Sequence, residues 1–559
     1  MYRYDDYDQT ITLQRVAQFR NQTERFLSGE LTDEEFRPLR LQNGLYIQRH
    51  APMLRVAIPY GLLSSRQVRK LAEVADKYDR RYAHFTTRQN IQYNWPEVKD
   101  IPAILDDLAS VEMHAIQTSG NCIRNVTSDP FAGIAPDEIV DPRPYCELIR
   151  QWSTFHPEFI HLPRKFKIAV NGALEDRAAV AVHDIGVHFS KSADGEVVCK
   201  VMAGGGLGRT PVIGAVLIEN LPWQHLLTYI EAIMRVYNRY GRRDNLYKAR
   251  IKILVRAVGA EKFAADVDAE WQHIKDGPGT LPTEELERVK AYFTQPDYVA
   301  VDATEQARIA AELASLKAQH PSFARWMQRC ALAHSQPGHM AVVLSLKHPK
   351  IAPGDATSDQ LRAIADLADT YSYGEIRVTH EQNLVLSDVP QSQLFALWEQ
   401  AKALGLATPN VGLVTDIIAC PGGDCCSLAN AKSIPIALGI QDILEDADYV
   451  FDLGDMSLNI SGCINSCGHH HIGNIGILGV DKNGSEWYQV TLGGRQGLAA
   501  EIGKVIGPSF TAEEVPGVVK QILETYAELR QEDERFIDTF DRLGAEPFKA
   551  RVYTKKEAA

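Results

Sequence analysis

MLRVAIPYGLLSSRQVRKLAEVADKYDRRYAHFTTRQNIQYNWPE, residues 53–97, and MAVVLSLKHPKIAPGDATSDQLRAIADLADTYSYGEIRVTHEQNLVLSDVP, residues 340–390, follow one plan. Each opens on an apolar, strand-like run and passes through a polar turn into a helical pattern. The apolar positions are Val68, Leu71, Ala72 and Ala75 in the first, and Leu361, Ile364, Ala365, Leu367 and Ala368 in the second. A strand then follows around Gln89-Asn90 and Gln382-Asn383, each in a Thr-x-x-Gln-Asn setting. A second helix is expected over residues 101–108 and 393–403. Strand, helix, strand, helix makes a small α+β module of the ferredoxin-like kind. The shared order and the common Gln-Asn point to duplication.

Each module leads into a longer segment of mixed strands and helices. The first contains KFKIAVNG, AVHDIGVHF and VVCKVMAGGGLG; the second contains HIGNIGILGV and WYQVTLGG. The expected fold is therefore α+β, with two ferredoxin-like modules related by pseudo-two-fold symmetry and two mixed α/β cofactor-binding domains. The divisions are an N-terminal extension (1–44), a first half domain (45–118), a first binding domain (119–275), a helical linker (276–337), a second half domain (338–408) and a second binding domain (409–559). Pro282, Pro296 and Pro321 punctuate the linker, and residues 515–530 carry an amphipathic helix pattern.

The 559 residues suffice for several buried cores. Hydrophobic residues make up 45% and charged residues 23%, the balance of a globular protein. No apolar run reaches transmembrane length. The opening MYRYDDYDQT is polar and acidic, unlike a secretory or transit peptide, so a cytoplasmic location away from membranes is expected. A net charge of −13 argues against a general nucleic-acid binder but leaves room for a local basic pocket. Nine cysteines without a leader fit reduced thiols and a metal site better than a disulfide framework.

Four of these cysteines form a pattern: Cys420-x5-Cys426, then Cys463-x3-Cys467. Four thiolates on glycine-bearing loops suit an iron–sulfur cluster, because Gly422, Gly423, Gly462 and Gly468 let main-chain amides point at sulfur. Structural zinc is the alternative, but its cysteines usually stand two to four residues apart, and the first pair has five between. Cys425 is a second candidate ligand beside Cys426. His469, His470 and His471 follow the last cysteine and suit hydrogen bonds around the ligands better than direct ligation.

Cations form the second pattern. Arg55 sits inside an apolar strand, where a charge needs a partner. Arg88 and Arg124 lie in Thr-Thr-Arg-Gln-Asn and Asn-Cys-Ile-Arg-Asn-Val, and Arg164, Lys165 and Lys167 in Leu-Pro-Arg-Lys-Phe-Lys-Ile. Lys165 and Lys167 are two apart on a strand pattern and so share a face. Together these residues can line a site for a small anion or a polycarboxylate cofactor. The glycine-rich residues 203–208 permit close backbone approach but lack the spacing of a phosphate loop. With no nicotinamide or flavin fingerprint, electrons have to come from a separate protein or subunit.

From about residue 45 to 555, these motifs resemble the sulfite and nitrite reductase hemoproteins, which contain siroheme and a [4Fe–4S] cluster. The resemblance implies that Cys420, Cys426, Cys463 and Cys467 hold the cluster and that Cys467 also bridges to the siroheme iron. It selects Cys426 over Cys425. It implies that Arg55, Arg124, Lys165 and Lys167 face the substrate, and that Arg88, Arg164, Lys248, Gln382 and Asn465 serve the siroheme. His84 stands where some sulfite reductases have another arginine. The implied reaction is the assimilatory six-electron reduction of sulfite to sulfide, with nitrite as the competing substrate. Plant-type nitrite reductases typically have Asn at the second lysine position, whereas Lys-Phe-Lys keeps both lysines. The electron donor is expected to be ferredoxin or a flavoprotein subunit using NADPH.

Overall fold

The computed structural model of the chain describes residues 5–554. Its two repeated units start from matching local signals. Ser64 and Thr357 each close a capping box, with Gln67 and Gln360 three residues on, so the helices Ser65–Tyr78 and Ser358–Tyr371 begin at equivalent points. Their expected apolar positions are buried, as one-sided helix spacing requires.

The sheets add a feature that no linear pattern carries. One sheet runs in the order Leu45–Ile47, Pro52–Val56, Ile91–Tyr93, Tyr82–Phe85, Asp355–Thr357, and its last strand comes from the second repeat. The other runs Ala331–Ala333, His339–Leu344, Leu384–Pro390, Glu375–Val378, Leu62–Ser64, and its last strand comes from the first repeat. Each repeat lends a three-residue strand to the other's sheet, pairing antiparallel. The strand enters the capped helix with no intervening residue, so it has no room to turn back onto its own sheet. Gly61 and Gly354, at φ +77° and +83°, mark the two crossings. A Cβ on Gly61 would stand 2.8 Å from both the Val378 carbonyl and the Gln89 amide, and one on Gly354 would stand 2.9 Å from the Gln382 amide. Leu63, Leu71 and Ile104 of the first repeat share one apolar core with Leu344, Leu361 and Ile376 of the second. Arg69 pairs across this junction with Asp366 and Asp369, and Arg362 with Asp76.

The duplication also extends further than the sequence pattern indicates. The segment expected as an extension contains the helices Asp6–Leu27 and Asp33–Gln42, followed by the strand Leu45–Ile47. The segment expected as a linker ends in the helices Ala303–Gln319 and Pro321–Cys330, followed by the strand Ala331–Ala333. Both short strands pair antiparallel with the next strand of their repeat. Phe19, Phe36, Phe323 and Trp326 all enter the shared core. Polar composition hid this correspondence, because most of each helix surface faces water.

Beyond the modules, two five-stranded sheets repeat one topology: Thr127–Ser128, Ile168–Asn171, Ile185–Lys191, Val197–Ala203 and Ala215–Pro222, then Ile418–Ala419, Leu458–Ser461, Ile475–Lys482, Ser485–Leu492 and Lys504–Val505. In each, the first two pairings are parallel and the last two antiparallel. Each has its own core, with the helix Leu226–Tyr240 packed into one and Val515–Leu529 into the other. The fold is α+β and built from duplicated modules. Among the described residues no helix is long and apolar enough to cross a membrane.

Two buried glutamines tie the four parts together. Gln89 donates from Nε2 to the carbonyls of Ser128 (3.0 Å) and Val378 (2.9 Å) and accepts from the Ser128 amide (3.0 Å). Gln382 donates to the carbonyls of Phe85 (2.9 Å) and Ala419 (3.0 Å) and accepts from the Ala419 amide (3.0 Å). Each links its own turn to the opposite module and to the first strand of the following sheet.

Candidate functional site

A cavity of about 310 Å³ forms where these parts meet, a size within the roughly 300–1,000 Å³ of small-molecule sites and far larger than a small oxyanion needs. Its wall contains Cys420, Cys426, Cys463 and Cys467 together with Arg55, Arg88, Arg124, Arg164, Lys165 and Lys167. His84, Gln382, Asn465, His469 and Cys425 also line it. Among the described residues no Asp or Glu does so, in a chain whose net charge is −13. Segments far apart in sequence therefore converge on a strongly cationic chamber beside four thiols.

The cations are positioned by main-chain and neutral partners. Arg55 lies opposite Gln92 on the neighbouring strand and donates to its Oε1 at 3.2 Å. Arg124 donates to the carbonyls of Thr118 (2.8 Å) and Gly120 (2.7 Å). Arg88 donates to Thr127 Oγ1 (2.6 Å) and the Asn125 carbonyl (2.7 Å) and contacts His183. Lys165 and Lys167 flank Phe166, which is buried in the core, so both ammonium groups turn to the cavity side. Burial, reinforced by Arg124, lowers Lys165 to about 7. Burial and the charge of Lys165 hold Lys167 well below its ordinary value. A cation set this poorly compensated calls for a polyanionic ligand.

The thiols sit on loops of the expected kind. The Gly462 amide donates to Cys420 Sγ at 3.2 Å. Main-chain amides of Leu428 and Ala429 act on Cys426, and that of Asn465 acts on Cys463. A Cβ on Gly462 would stand 2.5 Å from the Ala431 carbonyl, and one on Gly468 would stand 1.9 Å from the Ile460 carbonyl, so the Cys463–Cys467 loop requires glycine at both ends. Burial pushes the thiol of Cys420 up to about 12 and that of Cys463 to about 11, so these sulfurs favour the protonated form until a cation compensates them. Among the described residues, no three His, Cys, Asp or Glu side chains converge as ligands of a single metal ion. Four cysteines around one cavity, three of them with main-chain amides directed at sulfur, fit a polynuclear cluster, and the carboxylate-free cation set beside them fits a polycarboxylate tetrapyrrole.

Two expected contacts fall differently. Lys248 is exposed at the end of a short turn, Leu246–Lys248, capped by Asn245, and it does not line the cavity. Arg250, two residues on, turns inward and is held by Asp184 Oδ1 at 2.7 and 2.9 Å. Gln382 lines the cavity, but its amide is committed to Phe85 and Ala419, which makes it a link between domains. His84 is likewise engaged at both ring nitrogens: Nδ1 donates to Asp355 at 2.8 Å, and Nε2 lies 3.0 Å from the Gln382 amide nitrogen. Sequence reasoning missed Asp184, whose Oδ2 accepts the Lys167 amide at 2.8 Å; no spacing rule singles it out. Of the histidine run, His470 contacts Ser466 (3.2 Å), and His471 donates to the Gly208 carbonyl (3.0 Å), joining the glycine-rich loop to the cysteine loop.

The duplication shows why only one half builds this chamber. Thr127–Ser128 and Ile168–Asn171 stand in the same register as Ile418–Ala419 and Leu458–Ser461. Asp129 thus occupies the place of Cys420, Ala173 that of Cys463, and Arg177 that of Cys467. Arg177 ion-pairs with Asp129 and Asp137 at 2.8 Å and with Glu175 at 3.1 Å. Val343 and Val385 pair where Arg55 and Gln92 pair, and Ile134 and Phe131 pack against them. An ion-pair cluster and an apolar plug fill the equivalent position.

Comparison with known proteins agrees with this site. The family model "Nitrite and sulphite reductase 4Fe-4S domain" matches residues 119–275 and 414–558. The "Nitrite/Sulfite reductase ferredoxin-like half domain" matches residues 46–111 and 346–404. The chain is 28% identical over 483 residues to the chloroplastic ferredoxin–nitrite reductase of Arabidopsis thaliana, covering 84% of this chain and 75% of that one. It is 29% identical over 501 residues to sulfite reductase [ferredoxin] 2 of Mycolicibacterium paratuberculosis, covering 87% and 81%. The solved structure of Mycobacterium tuberculosis NirA superimposes with a TM-score of 0.76 at 26% identity, covering 93% of this chain and 92% of that one. Duplicated modules, four cysteines on glycine loops and a cationic chamber without carboxylates place the chain in the nitrite and sulfite reductase family, whose members work with siroheme and a [4Fe–4S] cluster.

Proposed function

We propose that this chain is an assimilatory sulfite reductase, reducing sulfite to sulfide by six electrons, with a reduced ferredoxin as donor. The observation that carries the choice of substrate is the pair Lys165 and Lys167, both in the wall of a chamber lined by cations and no carboxylate. The siroheme and its cluster supply stepwise electron transfer at iron when bound. Cys420, Cys426, Cys463 and Cys467 would hold the cluster, and the surrounding arginines and lysines would hold the carboxylates of the tetrapyrrole.

The chain's own part is electrostatic and proton-bearing. Arg55 and Arg124 offer planar guanidinium donors that orient an oxyanion. Lys165, drawn down to about 7 by burial, holds a proton that it can release near neutral pH, which an arginine cannot. The three oxygens of sulfite leave as water, so such donors are needed beside the anion. Preorganised cations also stabilise the negative charge that builds up as electrons arrive. Ferredoxin as donor rests on the relatives of both substrate types, which are described as ferredoxin enzymes.

Nitrite is the second reading, favoured by a nitrite-reducing relative of nearly equal identity. The test is parallel anaerobic turnover of sulfite and nitrite with reduced ferredoxin, using the parent and Lys167→Asn. The parent should prefer sulfite, and Lys167→Asn should lower the sulfite-to-nitrite ratio about tenfold, the effect of one charged contact worth ~1.4 kcal/mol. A parent that reduces only nitrite would refute the proposal. An unchanged ratio would remove Lys167 from substrate choice.

A further inference from the structure

We propose that Thr87 is a positioning residue for Cys467. Its hydroxyl donates to the main-chain carbonyl of Cys467 at 2.8 Å, reaching from the first module to the cysteine loop of the last domain. Nothing in the Cys-x3-Cys pattern or in the cation set points to it.

The contact is built from both ends. Thr87 is buried, with 5% exposure, and lines the cavity. Its turn is closed by Thr86, whose Oγ1 accepts from the amides of Arg88 (3.3 Å) and Asn90 (3.2 Å), while the Thr86 amide donates to the Asn90 carbonyl at 2.9 Å. The left-handed Gln89, at φ 53°, completes the turn and is itself fixed in both halves of the molecule. The carbonyl of Thr87 lies 3.2 Å from His380 Nδ1, and the other nitrogen of that ring lies 3.1 Å from the Ser128 carbonyl. On the far side, Ser466 and His469, either side of the Cys467–Gly468 pair, are held left-handed at φ 56°. The Gly468 amide donates to Ser461 Oγ at 3.1 Å.

Cys467 is also the most exposed of the five cysteines at the cavity, although Ser466, Gly468 and His469 beside it are buried, so the residue itself has little packing to define it. A hydrogen bond from a rigid turn to its carbonyl fixes the peptide plane and with it the Cα–Cβ direction of the thiol. Arg88 rides on the same turn, so one element registers a cradle cation and the last cysteine together. The corresponding turn of the second repeat has His380 in place of Thr87, and the corresponding loop has Arg177 in place of Cys467. The hydroxyl thus occurs on the side that carries the thiol. This inference rests on Cys467 being the sulfur shared between cluster and siroheme.

The experiment compares Thr87→Val, Thr87→Ser and Cys467→Ser with the parent, each purified with its cofactors. The readouts are iron and siroheme content, the spectroscopic signature of electronic coupling between cluster and haem, and kcat and KM. Thr87→Val keeps the shape and loses the donor. It should load as the parent does, show an altered coupling signature, and lose about 3- to 10-fold in kcat at unchanged KM, the kinetic equivalent of one hydrogen bond. Thr87→Ser should match the parent. A Thr87→Val protein with parental coupling and kcat would overturn the proposal. So would equal impairment or equal failure to load in Thr87→Ser, because the methyl group would then be the relevant feature. Failure to load in Thr87→Val alone supports the hydroxyl. Retained coupling in Cys467→Ser would reject the shared-sulfur reading itself; lost coupling there, with a parental Thr87→Val, rejects Thr87 alone.

Discussion

Replacing Gln382 by Leu tests whether this residue is a cofactor contact or a structural link. The side chain is 1% exposed and satisfies three main-chain groups: the Phe85 carbonyl at 2.9 Å, the Ala419 carbonyl at 3.0 Å and the Ala419 amide at 3.0 Å. Leucine fills much the same volume and shares the backbone cost of φ 64°, so shape and strain largely cancel. What remains is the loss of partners. A buried main-chain group left unsatisfied costs roughly 1–3 kcal/mol. Three such groups with partial relaxation give about 3–6 kcal/mol, a large share of the ~5–15 kcal/mol that holds an ordinary domain. The effect is local, because all three groups lie at the junction of Phe85 and the Cys420 segment. Hydrogen exchange read by mass spectrometry should therefore show the Ala419 amide exchanging about 5- to 150-fold faster, the equivalent of ~1–3 kcal/mol. The Ser128 amide, bound by Gln89, should stay protected. Gln89→Leu should give the mirror result, exposing Ser128 and sparing Ala419. If Gln382→Leu left exchange at Ala419 unchanged while siroheme content fell, Gln382 would be a cofactor contact and the linking role would be wrong.

Lys165 gives a pH prediction. Its ammonium is lowered to about 7 by burial and Arg124, so protonated Lys165 is penalised in the folded state below pH 7, and that penalty is relieved as pH rises from about 7 toward the ordinary lysine value. An anion in the chamber favours the charged form, so sulfite affinity should fall as pH rises through 7, with proton uptake on binding; calorimetry in buffers of different ionisation enthalpy measures both, and Lys165→Arg should flatten the dependence. Gly354→Ala places a Cβ 2.9 Å from the Gln382 amide at φ +83°, and it should destabilise the module junction by about 1–2 kcal/mol or more, seen as a lower urea midpoint. The same change at Gly454, where a Cβ meets nothing within 4 Å, should carry the backbone cost alone.

Local chemistry was readable from the chain. The buried faces of both helices, the strand that holds Arg55, and the paired direction of Lys165 and Lys167 all follow from periodicities of 3.6 and 2. These signals act over a few residues. The cysteine spacing and the resemblance it carried selected the family and the residues that line the chamber. The same resemblance misplaced Lys248, because a motif position two residues from Arg250 does not say which side chain a capped turn directs inward.

What tertiary structure alone decided is long-range. The exchange of Leu62–Ser64 and Asp355–Thr357 depends on where two helices pack, and a three-residue strand has no period long enough to announce its partner. The commitment of Gln89 and Gln382 to the opposite half, the reach of Thr87 to Cys467, and the anchoring of Lys167 by Asp184 are hydrogen bonds between distant segments. The filling of the equivalent chamber by Arg177, Asp129 and an apolar plug is legible only once the two halves are superimposed by strand register. Sequence determined which groups are present and how each segment folds; only the interlocked fold determined which of two equivalent positions stays open and which cations and thiols share it.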